Sequence, residues 1–190
     1  MRTTNIMIVG VGGQGTLLAS RILGNVAIRA GFDVKVSEVH GMSQRGGSVI
    51  TYVKYGSEVY SPIIDRGEAD IILAFEQLEA YRALPWLKKG GKMIVNSQKI
   101  DPMPVITGAM QYPEGIIEEL GEKADVTALD ALALAEEAGS IRTVNVVLIG
   151  VMAKNTAIPY EEWLETVRET VPKNYLEMNL KAFDLGYHYA

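Results

Sequence analysis

The chain has 190 residues, 48% of them hydrophobic and 22% charged, and a formal net charge of −5. That length suits one compact domain over 1–190, and the acidic balance argues against sequence-independent binding to nucleic acid. Cysteine is absent, which excludes disulfides, a thiolate nucleophile and any cysteine-ligated iron–sulfur cluster held by this chain.

His40 and His188 are the only histidines, and no G-x-S-x-G elbow is present, so neither a ligand-spaced metal cluster nor a hydrolase triad is visible. No apolar stretch is long enough to span a bilayer, and the N-terminus lacks the apolar core of a signal peptide. No metal site, no catalytic residue and no membrane partner are expected, and the chain reads as cytoplasmic.

In chain order, Ile6, Met7, Ile8 and Val9 read as a short buried strand. The glycine-rich "GVGGQG", Gly10 to Gly15, follows it. Residues 16–30 then show helical spacing, with Leu18, Ile22 and Val26 four apart and Gly31 as a stop. "FDVKV" is the next strand, so the opening reads as one βαβ unit. A loop, "SEVHGMSQRGG", leads to "SVITYVKYGSEVYSPI". The β-branched and aromatic residues on both sides of Gly56-Ser57 suggest an antiparallel hairpin there.

"ADIILAF" is a buried strand, and "EQLEAYRALPWL" a short helix disrupted near Pro85. "KKGGKMIVN" gives a turn and a strand. Residues 97–113 carry Pro102, Pro104 and Pro113 and read as irregular. "EGIIEEL", "ALALAEEAGS", the nearly all-apolar "NVVLIGVMAK", "PYEEWLETVRETV" and "KNYLEMNLKAFDLGY" read as helices, and "ADVTALD" as a strand. The rhythm predicts an α/β, Rossmann-like three-layer fold, a mostly parallel sheet flanked by helices with an inserted β-hairpin.

Gly10, Gly12 and Gly15 match G-x-G-x-x-G between a strand and a helix. Glycines there permit a tight turn and a close approach of backbone to ligand, and the helix start offers unpaired N–H groups. Gly13 and Gln14 complete the candidate loop. The residues fit NAD, another phosphate-bearing group, or close helix–sheet packing alone. For NAD an acidic residue is expected roughly 20 residues on, at the end of the second strand. Glu38 lies near that place, but at the start of a long loop.

That second loop is the other candidate. Arg45 offers a planar fork of donors for carboxylate or phosphate, Ser43 and Gln44 add neutral hydrogen-bonding groups, and Gly46 and Gly47 allow a sharp turn. Both loops leave C-terminal strand ends, which predicts that they are neighbours. Asn96, closing "KMIVN", faces the same edge. Thr143 reads as a helix N-cap and Asn145 as a cap neighbour or ligand contact. Trp86 and Trp163 read as packing or interface residues.

Together, "NIMIVGVGGQGTLLASRIL", "VSEVHGMSQRGGSVITYVKYG", "ADIILAFEQLEAYRALPWLKKGGKMIVN", "TVNVVLIGVMAK" and "NLKAFDLGY" resemble the small subunits of indolepyruvate:ferredoxin oxidoreductases. These belong with the gamma subunits of 2-oxoacid:ferredoxin oxidoreductases, and the resemblance runs over nearly the whole chain. It implies a complex that decarboxylates an aryl pyruvate or other 2-oxoacid oxidatively, giving an acyl-coenzyme A, carbon dioxide and reduced ferredoxin. Thiamine diphosphate, Mg²⁺ and iron–sulfur clusters are then expected in a large partner subunit, through which ferredoxin is reduced, with coenzyme A as co-substrate. This chain lacks both the cysteines and a G-D-G thiamine-type motif. On this resemblance the glycine loop and the Arg45 loop serve a site shared with that partner. An NAD- or flavin-binding reductase and a non-enzymatic nucleotide-binding module remain the alternatives.

Overall fold

A computed structural model describes residues 3–41 and 46–189. Its frame is one six-stranded sheet in the order β2-β3-β1-β4-β5-β6. The strands are β1 (Thr4–Val11), β2 (Asp33–His40), β3 (Ser48–Gly56), β4 (Ala69–Ala74), β5 (Leu87–Asn96) and β6 (Asp125–Leu129). β1, β4, β5 and β6 pair in parallel, and β3 runs antiparallel to both its neighbours, β1 and β2.

The helices are α1 (Thr16–Arg29), α2 (Gln77–Ala83), α3 (Met103–Ile106), α4 (Ile116–Lys123), α5 (Ala131–Ala138), α6 (Val144–Ala153), α7 (Tyr160–Thr170) and α8 (Leu176–Tyr187). Strand periodicity decides which core each residue joins. Ile6 and Ile8 of β1 face α1, α5, α6, α7 and α8, whereas Met7 and Val9 face α2 and α4. All four are essentially sealed from solvent, which is why this strand reads as an unbroken apolar run. Trp163 is fully buried, its Nε1–H donating to Thr156 Oγ1 at 3.2 Å, so it is a packing residue. Trp86 lies half-buried with the Arg66 guanidinium over its ring.

The three-layer, mostly parallel architecture agrees with the sequence reading, and the inserted hairpin is present with a different second strand. It is formed by β2 and β3, joined through residues 41–47, and not across Gly56-Ser57. β3 pairs with β1 along one edge and β2 along the other, which leaves no edge for the chain after Gly56. That stretch is tied down otherwise: Val59 N–H donates to Asp33 Oδ2 at 2.8 Å. Lys35 Nζ donates to Asp33 Oδ1 at 2.6 Å, and this bond first, then the Val59 one, holds the Asp33 carboxyl below its usual range. The opening βαβ unit is likewise split, because β3 lies between β1 and β2.

The tightest helix contact is between α6 and α8, where Gly150 and Gly186 face each other. A Cβ on Gly186 would collide with the Val147 carbonyl, and one on Gly150 with the Phe183 carbonyl. These obstacles are backbone and cannot rotate away. Gly186→Ala is expected to destabilise the fold by about 1–3 kcal/mol or more through overpacking. A denaturant midpoint shifted with no change in m would show it, and an unshifted midpoint would show that the helices can separate freely.

Candidate functional site

The order of the sheet creates a switch point between β1 and β4. The connection through α1 leaves β1 across one face, and the connection through α2 leaves β4 across the other. Ligands of open α/β sheets bind in the crevice outside such a point. Here side chains of the chain itself fill it. Gln14 folds back so that its Oε1 accepts the Val11 N–H at 2.7 Å, while its Nε2 donates to the Phe75 carbonyl at 3.0 Å and to Gln98 Oε1 at 3.2 Å. Asn96, buried at the end of β5, donates to the same Phe75 carbonyl at 3.1 Å and accepts the Ala131 N–H at 3.2 Å.

The glycines divide into different tasks. A Cβ on Gly10 would meet Gln14 Oε1 at 2.9 Å and Phe75 Cβ at 3.0 Å, so that glycine makes room for the folded glutamine. Gly12 N–H donates to the Gly47 carbonyl at 2.9 Å, which joins the first loop to the second as the sequence predicts. Gly15 has φ +84° and lies against Asn145, whose Nδ2 donates to the Gly15 carbonyl at 3.3 Å. Gly13, at φ +100°, faces open space.

The amides of Gly13, Gly15, Thr16 and Leu17 have no backbone acceptor among the described residues, and Gly15 supplies no side chain to cap α1. They give the loop a partial positive charge.

Two clefts flank this loop. One, of about 430 Å³, lies toward the hairpin and is lined by the loop together with Glu38, His40 and Val49. The other, of about 480 Å³, lies toward α5 and α6. Gly46 is exposed at φ +76° beside the first cleft's rim strand, and Ser43, Gln44 and Arg45 lie outside the described residues.

Glu38 is exposed, with its carboxylate 3.3 Å from the Thr51 hydroxyl. Since β3 separates β2 from β1, Glu38 stands two strand spacings, roughly 10 Å, from the strand that carries the loop. A dinucleotide site needs that acid on the adjacent strand to reach the ribose. Thr143 is buried at the start of α6 without capping it; its hydroxyl donates instead to the Ser140 carbonyl at 2.8 Å. Among the described residues no three His, Cys, Asp or Glu side chains gather as a metal set.

Two buried carboxylates behind the loops escape the sequence reading. Glu76 caps α2 through the Glu79 N–H at 2.9 Å, and it also accepts the Ile100 N–H at 3.2 Å and the Tyr112 hydroxyl. Burial, then the Glu76 contact, pushes the Tyr112 phenol far up. Glu79 accepts the Ser48 hydroxyl at 2.5 Å and Arg82 Nη1 at 2.6 Å. The start of α2 thereby anchors the stem of the second loop and residues 97–113. The spacing of the two acids in "EQLE" is the only local sign, and it reads equally well as a solvated helix start.

The sequence profile of the family "Pyruvate ferredoxin/flavodoxin oxidoreductase" matches residues 5–189. The chain belongs to this family. It is 47% identical to the "Indolepyruvate oxidoreductase subunit IorB" of Thermococcus kodakarensis, over 98% of this chain and 95% of that one. The gamma subunit of a keto/oxoacid ferredoxin oxidoreductase from Geobacter sulfurreducens superposes with a TM-score of 0.73 at 26% identity, covering 97% of this chain and 96% of that one. A 2-oxoglutarate:ferredoxin oxidoreductase from Magnetococcus marinus shares the fold, with a TM-score of 0.74 at 21% identity. The match spans 98% of this chain but 31% of that longer chain. In this oxidoreductase family member the structure brings Gly10, Gly12, Gly13, Gln14, Gly15, Gly46 and Asn96 to one edge.

Gly15→Ala is expected to cost about 1–3 kcal/mol, since it forces an alanine to positive φ and sets its Cβ 2.7 Å from Asn145 Nδ2. Thermal melts of the two proteins check this. Tyr112→Phe removes a donor from a buried carboxylate, for about 1–3 kcal/mol. Faster hydrogen exchange at the Ile100 amide, with the α6 amides unchanged, would confirm that Glu76 is the anchor of residues 97–113.

Proposed function

We propose that this chain, acting as one domain, is the small, cluster-free subunit of an indolepyruvate:ferredoxin oxidoreductase, in which a 2-oxoacid is oxidatively decarboxylated to an acyl-coenzyme A. The observation that carries the reading is full-length similarity at 47% identity to a protein so named, on a fold whose C-terminal edge carries a donor-rich glycine loop. Thiamine diphosphate supplies the carbanion chemistry of such a reaction, and iron–sulfur clusters take its electrons. The residues of this chain do not fit either as resident groups. There is no cysteine to hold a cluster and no G-D-G thiamine-type motif. Both groups, and the contact with ferredoxin, belong to a large partner subunit.

The same edge is equipped to meet that partner. Leu17, Leu132 and Ile141 are 57%, 37% and 58% exposed around the glycine loop, and Met103 and Ile106 project from α3 after β5. Apolar side chains gathered on one edge mark an interaction surface, and an obligate interface buries such groups. The glycine loop and the Ser43–Gln44–Arg45 segment contact the entering cofactor or coenzyme A across this interface. An NAD-binding reductase fits less well, because Glu38 is displaced by a full strand. No helix among the described residues is long and apolar enough to cross a membrane.

Purified alone, the chain is expected to reduce no viologen dye with indolepyruvate, even with thiamine diphosphate, magnesium and coenzyme A supplied. Co-expression with a large subunit carrying cluster and thiamine motifs is expected to give dye reduction. In that complex Arg45→Ala is expected to lower kcat/KM about ten- to a hundredfold, the scale of one charge-assisted contact. Oxoacid-dependent reduction by the lone chain would make it an enzyme in its own right and end this assignment.

A further inference from the structure

β2 closes one side of the sheet and pairs with β3 alone, so its outer edge has no strand partner among the described residues. Such an edge presents a row of unpaired N–H and C=O groups, and proteins that stay monomeric blunt it with brevity, prolines, bulges or lysines. β2 runs eight residues, contains no proline, and keeps an unbroken register with β3. Its one lysine, Lys35, is neutralised by Asp33 at 2.6 Å. Val36 and Val39 are 47% and 50% exposed on its opposite faces. The far side of the sheet differs: β6 has only five residues, and the Tyr189 hydroxyl donates to its Ala128 carbonyl at 3.4 Å.

The face of α1 beside the open edge is also incomplete. A groove of about 410 Å³ runs between α1 and β2, with Arg21, Gly24, Asn25, Ile28, Val34 and Val36 along its walls. Ile28 is 62% exposed. Gly24 sits in the middle of α1, where glycine weakens a helix. No close contact within the chain demands it, since a Cβ there would meet only Val36 Cγ2, at 3.8 Å.

We infer that a second copy of this chain covers both features, its β2 adding antiparallel to β2 about a two-fold axis so that the two sheets join into one. Such a pairing sets one residue against its own counterpart at the centre. A centre at Lys35 or at Glu38 opposes like charges, which is destabilising. A centre at Ser37 sets the exposed Val36 against Glu38. A centre at Val36 opposes two valines and brings no like charges face to face. α1 packs over β2 and β3, about one strand spacing from that axis. The two α1 helices then lie roughly 10 Å apart, the separation of packed helices, and cross near Gly24, which is level with Val36. Ile28 of each copy enters the groove of the other. The occupant is a second copy and not an unrelated strand, because one symmetry operation satisfies the open edge, the unexplained glycine and the exposed isoleucine together. This surface is the lateral side of the sheet, away from the C-terminal edge proposed for the large subunit, and the inference does not depend on that proposal.

The absence of cysteine makes the test direct. The purified full chain is expected to sediment as a dimer at micromolar concentration. Ile28→Asp is expected to raise the dimer Kd at least about tenfold with the circular dichroism spectrum unchanged. Under mild oxidation Val36→Cys is expected to give a disulfide-linked dimer, because directly opposed Cβ atoms lie ~5 Å apart. Val39→Cys is expected to give none, because the same register leaves the two copies of residue 39 ~20 Å apart. A wild-type chain that stays monomeric would overturn the inference, as would an unchanged Kd in Ile28→Asp or equal cross-linking of the two cysteine variants. Amides of β2 that gain protection from hydrogen exchange only when a large subunit is added would overturn it too, by giving the edge to a strand of that subunit.

Discussion

β1 is buried on both faces, and that burial organises the rest of the molecule. Ile6, Met7, Ile8 and Val9 are all essentially inaccessible, so the backbone groups between them have no access to water and need partners on both edges. β4 serves one edge in parallel, and β3 serves the other antiparallel over the full length of β1. Once β3 occupies that place, β2 can only add outside it. The displacement of Glu38, the pairing of β2 with β3 and the switch point at β1 and β4 all follow from satisfying one strand.

The switch point then has an uncommon filling. Gln14 and Asn96 both donate to the Phe75 carbonyl, and Gln14 also accepts the Val11 amide. The crevice that a dinucleotide enters in related architectures is closed by these bonds, and open space is left on either side of the loop. Gly10 and Gly15 serve this packing, while Gly13 stays open. A single glycine motif thus answers to two demands, a rigid base fixed by side-chain amides and a row of N–H groups without backbone acceptors among the described residues. Neither demand requires a nicotinamide cofactor.

Behind the loops, Glu76 and Glu79 give the irregular segments a fixed origin. Both are almost fully buried, and each has donors from more than one part of the chain. Buried carboxylates are stable only when so supplied, so their partners cannot drift without a large penalty. The stem of the second loop and residues 97–113 are held to α2 by this rule, on the same edge as the exposed apolar side chains of α1, α3 and the start of α5.

The sequence by itself determined the elements and the class of the fold. An all-apolar run bounded by glycine can only be a buried strand or helix segment, and the 3.6-residue period of α1 and the glycine stop at Gly31 are local properties. It also determined what the chain lacks, since zero cysteines need no structure to interpret. The motif-level likeness to a family was legible for the same reason, because loop chemistry is written in contiguous residues. Tertiary structure alone decided which strand completes the hairpin, since "SVITYVKYG" and "SEVYSPI" have similar local propensity and only competition for the edges of β3 separates them. It also decided the tasks of Gln14, Asn96 and Glu76. Their meaning lies in partners up to tens of residues away, which no window of sequence contains. Propensity acts between neighbours in the chain, whereas hydrogen-bond satisfaction and charge balance act between neighbours in space.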